Sequence, residues 1–154
     1  MLNQAAIGIH NWSVHVQAQY AADRGLISVA TMDRRFAKTR AQGPDDIQRY
    51  REALQAQQPV GDACDTRPNA NPVVARKIAA CQQRIAAQQP VLRTAAVAMG
   101  DWNMHLKDMA RHADGKVPGA VAQQIWVRTY RAAPKHIDPY ERAAAQLDAA
   151  PTCT

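Results

Sequence analysis

Asp101, His105, Asp108 and His112 follow one another at intervals of four, three and four residues. On an α-helix those intervals put all four side chains on one stripe. Carboxylates and neutral imidazoles are ligands for divalent ions, so neighbouring members of the stripe could chelate zinc. Met99, Met104 and Met109 lie in the same stretch, and thioethers with imidazoles would suit copper. A single helix cannot close such a sphere, because residues seven apart stand about 10 Å from each other. Facing helices must contribute, and His15 is the candidate from elsewhere in the chain. The simpler reading is a solvated polar face with Asp–His pairing, with Met99 as core filler on an apolar stripe.

The remaining chemistry-bearing residues are sparse. Arg34, Arg35, Lys38 and Arg40 form the densest basic cluster. Phosphate or weak nucleic-acid binding is one reading of it, and a solvated helix face is the simpler one. His10 and His136 show no partner pattern and read as surface residues. Glu52 and Glu141 are the sole glutamates, which removes a carboxylate-bridged di-iron bundle with its inward Glu-x-x-His motifs. A Gly-x-Ser-x-Gly elbow, a phosphate-binding glycine loop, a dinucleotide glycine pattern and His-Glu-x-x-His are all missing from the sequence. No enzymatic activity is expected.

The elements that must position these residues come from a comparison of the chain with itself. A shift of 90 residues, without gaps, lays Trp12 on Trp102, His15 on His105, Gly25 on Gly115 and Phe36 on Trp126. The same register pairs Thr39 with Thr129, Pro44 with Pro134, Ile47 with Ile137 and Tyr50 with Tyr140. Matches of such residue types in one register point to a duplicated unit, residues 2–58 and 92–148. Positions kept in both copies are expected to serve packing. Positions found in one copy only are the better candidates for activity. By that test the Trp-x-x-His pairs are architectural, each imidazole lying beside its indole on the helix surface. The alternative is that His15 and His105 meet as ligands of one metal. The stripe is the one-copy feature, since its counterparts are Asn11, His15, Ala18 and Ala22.

Each unit reads as three helices. The first spans about 2–23 and again about 91–113, with Leu2, Ala5, Ile9, Trp12, Val16 and Tyr20 on one face, echoed by Leu92, Ala95, Met99, Trp102, Leu106 and Ala110. Gly25 and Gly115 then offer the left-handed backbone that ends a helix cheaply. The second spans about 28–42 and 118–132, with a stripe of Val29, Met32, Phe36 and Thr39, or Val121, Ile125, Trp126 and Thr129. Gly43-Pro44 and Ala133-Pro134 are expected to break it. The third spans about 45–57 and begins again at Asp138-Pro139. A Pro-, Gly- and Asn-rich stretch over 59–71 and a linking helix opened by Asn71-Pro72 join the copies. Val74, Ile78, Cys81 and Ile85 form the linking helix's stripe, and Pro90 ends that helix or kinks it into the next. The expected fold is one all-α domain over residues 1–154, a bundle of about seven helices in two pseudo-equivalent three-helix units.

Composition agrees with that class. Of 154 residues, 47% are apolar, while the rings number one Phe, three Trp and four Tyr. Net charge is +6, yet acidic residues interrupt the basic ones throughout. A nucleic-acid binder concentrates its basic residues on one face or tail, so that partner is not favoured. No stretch nears the roughly 18–20 apolar residues that span a bilayer. Met1-Leu2-Asn3-Gln4 has no secretory signature, so either the protein acts in the cytoplasm or a leader has been removed.

The cysteines bear on that choice. Cys64 lies in the stretch between the copies and Cys81 on the linking helix. A Cys64–Cys81 disulfide would staple the two together, stabilising the fold by roughly 3 kcal/mol on the chain-entropy estimate. Cys153 stands near the place of Cys64 in the second copy, and its symmetry-related partner would precede Met1. It is therefore expected to be unpaired or to pair outside the fold, and three reduced thiols in a cytosolic protein are the alternative. Cysteines in a loop and at a tail favour an exported protein over a cytosolic one.

The set Trp12-x-x-His15, Gly25-Leu-Ile-Ser28, Thr39-Arg40 with Gly43-Pro44, then Cys64 and Cys81, resembles uncharacterised secreted or lipid-anchored helical proteins of actinobacteria. The N-terminal lipid-attachment cysteine of an anchored member is missing. The resemblance implies a location at the cell envelope and no particular activity. The expected function is a non-enzymatic binding or scaffold module of the envelope. A zinc- or copper-binding protein using Asp101, His105, Asp108, His112 and His15 is the alternative, and weak nucleic-acid binding a third.

Overall fold

The structure, a computed structural model, describes residues 1–57 and 71–153. Helix accounts for 87% of these residues, with no strand among them. They form five helices: α1 (Leu2–Asp23), α2 (Val29–Gln57), α3 (Pro72–Ala113), α4 (Gly119–Ala132) and α5 (Pro134–Asp148). Five replace the expected seven because two proline boundaries do not interrupt their helices.

Pro44 lies inside α2 and Pro90 inside α3. An interior proline removes one backbone hydrogen bond and crowds the preceding turn, at about 3 kcal/mol. Tertiary packing on both flanks offsets that cost. Before Pro90, Arg84 donates to the Leu147 and Ala150 carbonyls at 3.4 and 3.2 Å. After it, Val91 is buried in the core. Around Pro44, a Cβ on Gly43 would meet Leu106 Cδ1 at 2.6 Å and Trp102 Cζ2 at 3.0 Å. Gly43 is therefore the point where α2 touches α3, not a helix stop. Asp138-Pro139 likewise falls within α5, whose first residue is Pro134.

Other boundaries follow their local chemistry. Ser28 Oγ accepts from the Thr31 N–H at 3.2 Å, capping α2. Asn71 Oδ1 accepts from Val73 and Val74, and Pro72 opens α3. After α1, Gly25 takes φ +69°, with Gly25 N–H on Ala22 O and Leu26 N–H on Ala21 O. After α3, Gly115 takes φ +72°, with Gly115 N–H on His112 O and Lys116 N–H on Arg111 O. Both ends are Schellman motifs, in which the glycine supplies the left-handed residue.

α1 crosses α3 at the centre of the molecule, α2 packs on α1, and α5 packs on α3. The crossing buries Trp12 and Trp102 completely, their rings stacked with centroids 5.0 Å apart and planes 22° from parallel. Ala5, Ile9 and Val16 from α1, and Ala95 and Met99 from α3, extend the core along both rods. Ile47, Tyr50, Ile137 and Tyr140 close it from α2 and α5.

The expected stripes of the second helix are less buried than their spacing suggested. Val29 is 65% exposed and Val121 46%, because the first turns of α2 and α4 project past the core. Val74 and Ile85 on the linking segment are also exposed. α5 packs on α3, and just beyond its end Cys153 stands in disulfide contact with Cys81, with Cα atoms 4.7 Å apart. This corrects the expectation of an unpaired Cys153. Its partner comes from the N-terminal half of α3, because α5 runs back along that helix. Cys64 lies outside the described residues.

Candidate functional site

Flanking the tryptophan stack, His15 from α1 and His105 from α3 meet with Nε2 atoms 3.2 Å apart. They are 3% and 4% exposed. Each ring lies beside its own indole, with centroids 5.9 Å apart for Trp12–His15 and 6.0 Å for Trp102–His105. Four rings thus make one continuous aromatic layer where the rods cross.

The hydrogen-bond network assigns the protons in this layer. Thr39 Oγ1 donates to the Arg35 carbonyl at 2.9 Å, so it accepts from His15 Nδ1 at 2.8 Å. A neutral His15 carrying its proton on Nδ1 presents a bare Nε2, to which His105 Nε2–H donates. That leaves the Nδ1 lone pair of His105 buried and without a partner. Both rings are held neutral. Desolvation lowers the His15 pKa first, helped by His105 and Arg40, to about 3. Desolvation, then the Arg40 charge, lowers that of His105 to about 4.

The two histidines differ in what covers them. Phe36 stacks on His15 at 4.0 Å with planes 8° apart. Trp126, at the corresponding position of α4, packs edge-on against His112 instead, at 5.3 Å and 79°. Thr129 Oγ1 bonds the Ile125 carbonyl at 3.0 Å and no imidazole. A cavity of about 170 Å³ lies beside the pair, between α1, α2, α3 and α4, with His15 and His105 both in its lining. Phe36, Met109, Trp126 and Val127 give it apolar walls, while Gln19, Arg40, His112, Gln123 and Tyr130 add polar groups. Trp126 Nε1, like His105 Nδ1, is buried without a hydrogen-bond partner. Tyr130 donates to Asp23 Oδ2 at 2.7 Å, tying α4 to the end of α1.

The metal stripe is dispersed among separate partners. Asp101 pairs with His136 at 2.5 Å. His105 meets His15, and Asp108 faces Arg111 at 3.7 Å. His112 Nδ1–H donates to the Val117 carbonyl at 2.9 Å. Of the five expected ligands, only His15 and His105 are brought together. Among the described residues no group of three or more His, Cys, Asp or Glu side chains converges as a metal site. His136, which the sequence left without a role, is the partner of Asp101. Arg40 leaves the basic cluster: one turn beyond Phe36 on α2, it lines the cavity. The 3.6-residue period places Phe36 and Arg40 on one face, and that was the available signal.

No family model, curated protein or solved structure matches this chain. Among the described residues no helix is long and apolar enough to cross a membrane.

Proposed function

We propose that this chain is a non-enzymatic helical binding module of the cell envelope, and that it holds a small molecule in the cavity beside His105. The observation that carries this reading is the cavity that His15 and His105 both line, with Phe36, Met109, Trp126 and Val127 as apolar walls and Gln19, Arg40, His112, Gln123 and Tyr130 as polar groups. Pockets that bind small molecules have this character, mostly apolar with a few polar groups that set orientation.

The duplication supports the same reading. Trp12 and Trp102, Ile47 and Ile137, and Tyr50 and Tyr140 are buried pairs at the offset of 90. Gly25 and Gly115 end their helices with matching bonds. Two copies of a three-helix unit that shared one packing solution would leave activity to the place where they diverged. That place is the outer layer, where His112 stands in the position of Ala22 and draws Trp126 away from His105.

The test uses the three indole N–H resonances of the isotopically labelled chain. A panel of carboxylates, amines, sugars and neutral aromatics is added at millimolar concentration. A ligand in the cavity moves the Trp126 resonance and leaves those of Trp12 and Trp102 nearly in place. A panel in which no compound moves Trp126 defeats the reading.

One observation favours metal binding as a second reading. Two imidazole nitrogens on a tetrahedral zinc ion, each at 2.0–2.1 Å, stand about 3.3 Å apart. The His15–His105 separation is 3.2 Å. An ion there would replace the shared proton and take its remaining ligands from outside the stripe.

A further inference from the structure

We infer that the cavity beside His105 is selective for a small organic monocarboxylate, with an apolar body the size of one planar ring and its carboxylate on Arg40. The inference rests on the reading of that cavity as a binding site, and adds the ligand's chemical class. Size sets the first limit. An engineered cavity of about 150 Å³ in another protein accepts benzene, and this one measures about 170 Å³. A single ring with one substituent fits it, and a nucleotide or an oligosaccharide does not.

The walls set the second limit. Phe36 and Trp126 offer ring faces and edges, and Met109 a polarisable thioether, all suited to a flat apolar group. Charge sets the third. Arg40 is a wall residue, and no Asp or Glu shares the lining with it. Among the described residues Arg40 forms no ion pair, although Arg49 on the same helix does. Its field reaches the interior, since it helps to hold both buried histidines neutral. A planar guanidinium at the edge of an apolar cavity matches a carboxylate in a two-pronged fit. A cationic ligand would meet that charge, since Asp23, bonded to the lining residues Gln19 and Tyr130, is not itself part of the lining.

Polar groups around the guanidinium complete the recognition. His112 uses Nδ1 for the Val117 carbonyl, which leaves Nε2 available. Gln19 of α1, whose amide also donates to Asp23 at 2.8 Å, and Gln123 of α4 line the same cavity. The apolar wall residues would take the ring.

The test titrates the full chain with benzoate, benzamide and benzylamine, three probes of one size and different charge. Calorimetry gives affinity, and the Trp126 indole resonance gives location. Benzoate is expected to bind about tenfold or more tightly than benzamide, with benzylamine weakest. Arg40→Gln should bring benzoate to the level of benzamide and leave benzamide unchanged. Arg34→Gln, on the same helix outside the lining, should change neither. Arg40 is exposed, so its replacement leaves folding intact. If benzamide or benzylamine shifts Trp126 as tightly as benzoate, the carboxylate inference falls while the binding site stands. Benzoate binding that ignores Arg40→Gln likewise removes the inference. If no probe of any class moves Trp126, the site itself is lost.

Discussion

His15 and His105 meet Nε2 to Nε2 at 3.2 Å, and a threonine on α2 decides which of them owns the proton between them. Thr39 is already a donor to its own helix, so His15 must give it a proton and accept one from His105. A buried pair ordered in this way is a fixed dipole, and it makes the centre of the molecule sensitive to acid.

Stability should fall as pH drops from about 6.5 toward 4. Both rings have folded-state values far below the ordinary histidine value, about 3 and about 4. In that window the unfolded chain binds protons that the folded chain refuses, which favours unfolding as acid is added. The slope approaches 1.4 kcal/mol per pH unit for each histidine. Urea unfolding at pH 7 and pH 5 measures it. Equal midpoints would show that the rings are protonated in the fold.

Thr39→Val should destabilise the protein by about 1–3 kcal/mol, because it strands the His15 Nδ1 proton in a dry site. Thr129→Val, whose hydroxyl bonds only its own helix, should cost less than about 0.5 kcal/mol. Similar losses from both changes, read by urea denaturation, would contradict the proton assignment.

Gly43 and Gly100 are both helical, yet alanine should act on them with opposite sign. A Cβ at Gly43 meets Leu106 and the Trp102 ring, whereas one at Gly100 meets nothing within 4 Å. Gly43→Ala should cost about 1–3 kcal/mol through overpacking. Gly100→Ala should gain about 0.5–1 kcal/mol from helix propensity. A stabilising Gly43→Ala would mean that α2 does not approach α3 so closely.

Peptide mapping under non-reducing conditions should recover a Cys81–Cys153 linked fragment. That bond closes a span of 72 residues, for which the chain-entropy estimate is about 4 kcal/mol. Reduction, or Cys153→Ser, should lower the unfolding midpoint accordingly. Recovery of Cys64 bonded to Cys81 would restore the pairing expected from spacing.

Calorimetry with zinc and copper discriminates the second reading of the histidine pair. An ion held there produces heat that His105→Ala abolishes, and the wild-type signal weakens as pH falls because protons compete for the imidazoles. Heat that persists in His105→Ala places the metal elsewhere.

Much of this architecture was legible in the residues. The face of Leu2, Ala5, Ile9, Trp12, Val16 and Tyr20 was readable because the 3.6-residue period alone dictates which side of α1 turns inward. Gly25 and Gly115 were readable as helix ends because only glycine adopts that backbone cheaply. Pro44 was misleading for the opposite reason, and at Pro90, where an end or a kink was expected, the helix runs on. Their local cost is real, and packing across α3 and α5, which a linear pattern does not contain, outweighs it. Cys153 was misplaced because its pairing depends on how α5 returns along α3. The four-residue stripe was a true helical face, yet its members found separate partners: His136 on α5, His15 on α1, Arg111 on α3 itself and the Val117 carbonyl beyond it.

What the sequence by itself determined is therefore the set of helices near each tryptophan, the caps that stop them and the sides they bury. These follow from interactions among residues within about a turn of each other. The tertiary structure alone decided that His15 and His105 line one cavity, that Arg40 turns to it and that Trp126 leans on His112. Those outcomes depend on the crossing of α1 and α3 and on the placement of α4. Such geometry is set by packing between distant segments, and spacing along one chain does not encode it.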